Sequence, residues 1–170
     1  FVNWIASREG MEIYDRARPE YPAALFDDLF GYLGAAHPHP AIVEVGPGTG
    51  QATQALLARG ARVTAVELGP SLAAYLANKY RANADLGVVT GAFEQVPLAE
   101  GRWDAVFAAT AYHWVDAAQR MARPGALLAP GGVLAIVDTN QVESDADRGF
   151  FVRCQPVYLK YRPDERAGVG

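Results

Sequence analysis

The chain predicts an α/β fold, a doubly wound parallel sheet with helices on both faces. Three observations carry that expectation. Strand-like and helix-like segments alternate through most of the sequence, the β-α-β-α-β pattern of a parallel sheet. The strand-like runs, such as residues 41–45 and 133–137, are almost continuously apolar, so both of their faces should be covered. Between the first run and the helix after it stand Gly46, Pro47, Gly48, Thr49 and Gly50, a strand-to-helix turn where such sheets take ligands.

Taken in order, residues 20–33 predict a helix, with Leu25, Phe26, Leu29, Phe30 and Leu33 at helical spacing. Gly31 and Gly34 weaken its end, and the His37, Pro38, His39, Pro40 run breaks it. The first strand is expected over 41–45. A helix over 49–59 follows, apolar at Ala52, Ala55, Leu56 and Ala58 and stopped at Gly60. The second strand is 62–66. The next helix, 70–82, opens on Pro70 and buries Leu72, Tyr75, Leu76 and Tyr80. Strand three is short, 87–90, and strand four is 103–109. A helical segment over 115–128 is interrupted at Pro124 and Gly125. Pro130, Gly131 and Gly132 then turn the chain into strand five, 133–137. Residues 147–160 are helical until Pro156 breaks them, and no strand is expected after residue 140. The last ten residues read as loop, and there are no repeats.

Composition narrows the class. A chain of 170 residues, 51% apolar and 20% charged, is ordinary for one soluble globular domain. A net charge of −4 argues against binding nucleic acid through its phosphates. No apolar run approaches the roughly 20 residues of a membrane span, so no membrane partner is expected. No basic stretch leads into an apolar one at the start, so no secretory signal is expected, and a single cysteine fits a reducing cytoplasm. The first residue is Phe1 rather than Met, so residues are expected to precede it. Cys154 is the only cysteine, which rules out an intramolecular disulfide and suits a packed or half-exposed thiol better than a reactive one. His37 and His39 lack a carboxylate cluster nearby, and no metal site is expected.

The glycine turn sets the chemistry. Glycines at alternate positions let a backbone pass flush against a ligand. Glu67, at the end of the second strand, stands about 20 residues beyond the turn, where doubly wound proteins hold ribose hydroxyls. An adenosine-containing ligand follows. The dinucleotide pattern fails because Gln51 takes the place of its third glycine, and no Gly-Lys-Ser/Thr follows for a phosphate loop. Glu44 inside the motif is unfriendly to a pyrophosphate. It suits a positively charged ligand, or it bonds the loop's own amides.

These residues resemble motif I of the class I S-adenosylmethionine-dependent methyltransferases, an acidic residue followed by Gly-x-Gly-x-Gly. Further segments match in order. Glu67 resembles the family's ribose-binding acid. Residues 91–97 resemble the segment after strand three that borders the adenine, and 111–116 the segment after strand four that borders methyl transfer. Residues 128–134 resemble the Pro-Gly-Gly turn before strand five, and 14–22 the N-terminal lid of small-molecule members. The match covers roughly residues 12–160. One departure stands out: many relatives carry Asp where Ala92 stands. Backbone groups of Ala92 and Phe93 would then do more, and Glu94 either substitutes or is a solvated helix-start carboxylate.

The resemblance implies a Rossmann-like sheet in strand order 3-2-1-4-5, with the usual sixth and seventh strands missing. It implies a lid and helical segment over 1–40, an S-adenosylmethionine-binding core over 41–140 and a C-terminal helical or loop segment over 141–170. The cofactor S-adenosylmethionine would contact Glu44, Gly46, Pro47, Gly48 and Gly50 of the turn. It would also contact Glu67, Leu68, Ala92, Phe93, Ala109 and Thr110, with Tyr14 and Arg18 from the lid. Arg18 would clamp the methionine carboxylate, or else pair on the surface with Glu20 or Asp15. Tyr21 and Trp114 would line the acceptor side, unless they are packing residues, and His113 is the candidate general base there. The implied reaction is direct in-line methyl transfer to a small-molecule acceptor. A cofactor-binding module without transferase activity and a nicotinamide-dependent oxidoreductase are the rivals. If the chain ends at Gly170, strand five is an open, apolar edge, which predicts a homodimer, covering of the edge by the last helix, or poor stability.

Overall fold

The computed structural model describes residues 7–34, 37–139 and 149–161. The chain folds as two compact units, Phe1–Asp138 and Thr139–Gly170. The first unit opens with helix α1 (Arg8–Ala17), capped by the Ser7 hydroxyl, which accepts the Gly10 N–H at 3.0 Å. Helix α2 (Ala23–Leu33) starts just after Pro22 rather than at residue 20, because Pro22 takes an extended ψ of 138° at the cap. Strand β1 (Ala41–Val45) leads through the glycine turn into α3 (Gln51–Ala58). That helix begins two residues later than predicted, since Gly50 is left-handed. Then come β2 (Arg62–Glu67), α4 (Pro70–Lys79), β3 (Leu86–Thr90) and β4 (Trp103–Ala109). A 3-10 turn (Tyr112–Trp114), α5 (Ala122–Leu127) and β5 (Leu128–Val137) complete the unit.

The sheet is five-stranded and parallel, in the order β3-β2-β1-β4-β5. The expected order is therefore the observed one. Strand order reverses between β1 and β4, where Ile42 faces Ala105 and Glu44 faces Phe107, and that reversal opens a crevice at the carboxyl ends. One face carries Ile42, Val63, Ala65, Ala105 and Phe107 against Phe26 and Leu29 of α2, Leu56 of α3 and Leu76 of α4. The rings of Phe26 and Phe107 lie 6.1 Å apart. The other face packs Val43, Val45, Val66, Val106 and Ala108 under Phe93, Val96, Tyr112, Val115 and Leu127. Three helices thus cover one face, while loops and short α5 cover the other.

Three local expectations are corrected. The helix predicted over 115–128 shrinks to α5, because the Asp116 carboxylate accepts the Ala118 N–H at 2.7 Å and holds a turn instead. Pro124 sits in the first turn of α5, where its missing N–H does no harm. Strand β5 begins at Leu128 rather than Val133. Its Pro130, Gly131 and Gly132 stay in the strand as an irregularity, with pairing shifting between Trp103 and Ala105. In the second unit, helix α6 (Phe150–Tyr161) runs through Pro156 instead of breaking there, losing only the one N–H that proline cannot donate. Residues 140–148 and 162–170, which bear on missing strands and on the last loop, lie outside the described residues, as do residues 1–6 of the lid segment.

Cys154 is half-buried. His37 and His39 serve the amino end of the sheet: His37 Nδ1 lies 3.0 Å from Asp104, and His39 Nδ1 lies 3.1 Å from the Gly60 carbonyl. Among the described residues no helix is long and apolar enough to cross a membrane.

Candidate functional site

The glycine turn leaves β1 at the crevice. Gly46 extends the ladder by donating to the Val66 carbonyl at 2.9 Å. Its φ of +66° and the 2.5 Å that would separate an added Cβ from the Ala111 Cβ exclude any side chain. This close approach seats the turn on the segment after β4. Gly48 is different. It is left-handed at φ +59°, but an added Cβ would meet nothing within 4 Å. Its open side is room for a ligand against bare backbone.

Glu67 ends β2 and is buried at 7% exposure. Its Oε2 accepts the Gly48 N–H at 3.1 Å and its Oε1 the Gly69 N–H at 2.8 Å. The predicted ribose acid therefore also braces the turn and the start of α4. A carboxylate offers about four lone-pair sites, so two backbone bonds leave capacity for two hydroxyls. Leu68 beside it is exposed.

Glu44 does not bond the loop's own amides, one of the two roles expected of it. Its carboxylate is buried at 2% exposure and accepts the Thr53 hydroxyl of α3 at 2.7 Å, not the loop's amides. Burial pushes its pKa up to about 7, the nearby Glu67 charge adds to the rise, and the Thr53 hydrogen bond opposes it.

After β3, Gly91 donates to the Glu67 carbonyl at 2.9 Å, which brings Ala92 and Phe93 beside the crevice. Phe93 is buried and Ala92 half-buried. The Ala92 carbonyl closes a turn with Gln95 and Val96, and the Phe93 carbonyl accepts from Arg123 at 3.4 Å. The backbone groups left for a ligand there are N–H donors. The Glu94 Oε1 accepts the Asp116 N–H at 2.7 Å and ties the two segments together.

The lid end closes the other side. Arg18 donates to the Tyr14 hydroxyl and, at 2.6 Å, to the Thr110 hydroxyl, with Tyr21 at 3.4 Å. The Tyr21 and Thr110 hydroxyls are 3.1 Å apart, and the guanidinium lies 5.4 Å from the Tyr14 ring centroid. The surface pairing of Arg18 with Glu20 or Asp15 is not what forms. Among the described residues the Arg18 guanidinium hydrogen-bonds only hydroxyls, and Asp15 pairs with Lys79 at 2.8 Å. Thr110, just past half-buried Ala109, has φ +55°, an outlying conformation for a β-branched residue.

Beyond Thr110 a cavity of about 150 Å³ is lined by Thr110, Ala111, His113, Arg120, Ile136 and Asp138, among others. His113 is on that wall. Trp114 is not, and stands 79% exposed with its ring 5.1 Å from the His113 ring. A wider cavity of about 340 Å³ opens at the amino ends of the strands, between Arg62, Asp85 and Trp103. It has no glycine turn and lies at the opposite end of the sheet from the crevice.

Several residues here escaped sequence reasoning. Asp15, Gln51, Tyr75 and Lys79 form one network under the lid. Only the helical spacing of Tyr75 and Lys79 hinted at a shared face. Arg120, which donates to the His113 and Val115 carbonyls at 2.9 Å each, carried no signal.

A glycine turn against an acid-ended second strand, at the switch point of a 3-2-1-4-5 sheet, defines a doubly wound, Rossmann-like α/β protein. The chain belongs to the methyltransferase-domain family, whose model matches residues 43–136. An uncharacterised methyltransferase of Mycobacterium tuberculosis is 36% identical over 124 residues, 73% of this chain and 48% of the relative. A malonyl-[acyl-carrier protein] O-methyltransferase of Serratia marcescens is 30% identical over 128 residues, 71% of this chain and 49% of the relative. The chain thus spans about half the length of the curated relatives it matches. In three dimensions it resembles a provisionally assigned S-adenosyl-L-methionine-dependent methyltransferase of Methanococcus maripaludis, with a TM-score of 0.67 at 16% identity, over 91% of this chain and 74% of that one.

Proposed function

We propose that the chain binds S-adenosylmethionine at the carboxyl ends of β1, β2 and β4 and directs its methyl group to a small-molecule acceptor. The observation that carries this reading is Gly48: left-handed, open on its Cβ side, and held by a buried Glu67 with acceptor capacity to spare. Family membership supports methyl transfer over hydride transfer.

When bound, S-adenosylmethionine would supply a methyl group activated on cationic sulfur: an acceptor lone pair would bond the methyl carbon in line as the carbon–sulfur bond breaks and neutral S-adenosylhomocysteine leaves. No residue then needs to become covalently modified. The chain's task is alignment. Glu67 accepts the ribose hydroxyls, with Leu68 alongside. The Ala92 and Phe93 N–H groups meet the adenine edge. Gly46, Pro47, Gly48 and Gly50 pass the methionine end, and Arg18 exchanges neutral hydroxyls for its carboxylate. Tyr14 and Tyr21 give the sulfonium aromatic faces. Ala109 and Thr110 floor the passage toward the cavity beyond β4, where His113 is the group able to take a proton from an acceptor. The Serratia relative's name makes acyl and carboxyl compounds the first acceptors to try.

Calorimetry with S-adenosylmethionine and with NADH tests the cofactor: tight NADH binding without a response to the former sinks the reading. A labelled methyl donor offered with an acceptor panel tests the reaction. Donor binding without turnover across the panel would mark a binding module instead.

A further inference from the structure

We propose that Asp15 is a positioning residue for the cofactor, the fixed pin that holds the lid so that Arg18 is presented to the amino-acid carboxylate of S-adenosylmethionine. The inference rests on the cofactor reading above and adds to it a residue that touches no ligand.

Asp15 is the lid's anchor to the floor of the site. Both of its oxygens accept from Lys79 Nζ at 2.8 Å. Gln51 donates to it at 3.0 Å and the Tyr75 hydroxyl at 3.1 Å. These donors stand on α3 and α4, the helices that follow the glycine turn and Glu67. Two of them reach the turn itself: Lys79 donates to the Thr49 carbonyl at 3.0 Å, and Gln51 donates to the Thr49 hydroxyl at 2.7 Å. One carboxylate on α1 is therefore wired to the residue between Gly48 and Gly50.

Arg18 stands three residues on and is held differently. Its partners are the hydroxyls of Tyr14, Tyr21 and Thr110. A guanidinium gains more from a carboxylate than from neutral hydroxyls, because two charge-assisted bonds form in parallel. Asp15 already has its cation in Lys79 and has no such exchange to make. The lid thus has a permanent pin on the β1–β2 side and an exchangeable one on the β4 side. The first fixes where the second can reach. The Arg18 N–H bonded to the Tyr14 carbonyl at 3.0 Å makes the link between the two pins rigid.

The test compares S-adenosylhomocysteine with 5′-methylthioadenosine, which keeps the adenosine and sulfur but lacks the amino-acid portion. Calorimetry on the full chain is run for wild type, Asp15→Asn, Arg18→Ala and the double variant. Asp15→Asn should weaken S-adenosylhomocysteine by about ten-fold. Methylthioadenosine should stay within about two-fold, a split that a merely structural role would not produce. Arg18→Ala should show the same split, and the double variant should be no worse than Arg18→Ala alone. Equal losses for both ligands, or no loss, would overturn the proposal. If wild type binds neither ligand, the cofactor reading fails first and takes this one with it. Should Asp15→Asn not fold, Lys79→Gln carries the same expectation with a smaller split, and its absence there overturns the pin equally.

Discussion

Arg18 and Thr110 lie 92 residues apart in sequence and are joined by a 2.6 Å hydrogen bond across the mouth of the crevice. Thr110 makes that bond from a backbone at φ +55°. A β-branched residue held there stores on the order of 1–3 kcal/mol of strain, so the conformation is kept by what surrounds it. Thr110→Gly should relieve the strain while losing the hydroxyl, leaving stability within about 1 kcal/mol of wild type. Affinity for S-adenosylhomocysteine should nevertheless fall, because on the proposed reading the hydroxyl that Arg18 releases is itself a cofactor contact, and Thr110→Ser, which keeps it, should restore the affinity. Thermal melts paired with calorimetry check both halves. A glycine variant that binds as well as wild type would remove Thr110 from the site.

Glu67 braces the turn and, on the proposed reading, also holds the ribose, and truncation should expose both. In Glu67→Ala the Gly48 and Gly69 N–H groups lose their acceptor and the ribose loses its own. Cofactor binding should weaken by about 1.5–3 kcal/mol, the range for hydrogen bonds to a charged group. The melting temperature should drop as well, because the brace across the turn is gone. Unchanged affinity with lowered stability would leave Glu67 as a brace alone.

Glu44 makes stability depend on pH in a direction opposite to that of a salt-bridged carboxylate. Its folded pKa is raised from 4.5 to about 7 by burial. Between those values the unfolded chain has released its proton while the folded chain still holds it. Stability should therefore be full below about pH 4.5 for this group, fall as pH rises toward 7, and level off above. The total change is on the order of 3 kcal/mol. Denaturant titrations across that window should show the slope in wild type and its loss in Glu44→Gln. An equal slope in the two proteins would assign the titration elsewhere.

What the sequence revealed and what it hid divide along contact range. The glycine turn and Glu67 were legible because a strand–turn–helix–strand unit fixes their spacing locally: Gly48 and Glu67 are 19 residues apart and meet directly. Strand order followed from the same regularity. Asp15 was hidden because its partners Gln51, Tyr75 and Lys79 lie 36, 60 and 64 residues away, and no local pattern marks them. The hydrogen-bond partner of Glu44 was hidden because its side chain points to Thr53 on α3 rather than to the turn's amides. The helix expected over 115–128 failed where a local bond and a distant one combined, with Asp116 capping its own turn and Glu94, 22 residues away, capturing the Asp116 N–H. The start of β5 was missed because Pro130 and Gly131, read as a turn, are carried inside the strand on an irregular pairing.

The first two glycines of the turn should answer differently to alanine. At Gly46 an added Cβ would stand 2.5 Å from the Ala111 Cβ, and the backbone is at φ +66° besides. Gly46→Ala must push the turn off the segment after β4, so folding itself should suffer. At Gly48 the φ of +59° alone opposes the substitution, since nothing lies within 4 Å of the new methyl. A left-handed conformation costs a non-glycine residue about 1–2 kcal/mol. Gly48→Ala should fold with that modest loss, which amounts to a few degrees in melting temperature for a domain of this size. Cofactor affinity should fall by a larger factor than stability does, because the methyl occupies space reserved for the ligand. Melting curves and calorimetry on both variants separate the cases. If Gly48→Ala binds S-adenosylhomocysteine like wild type, the open side of Gly48 is not where the ligand lies.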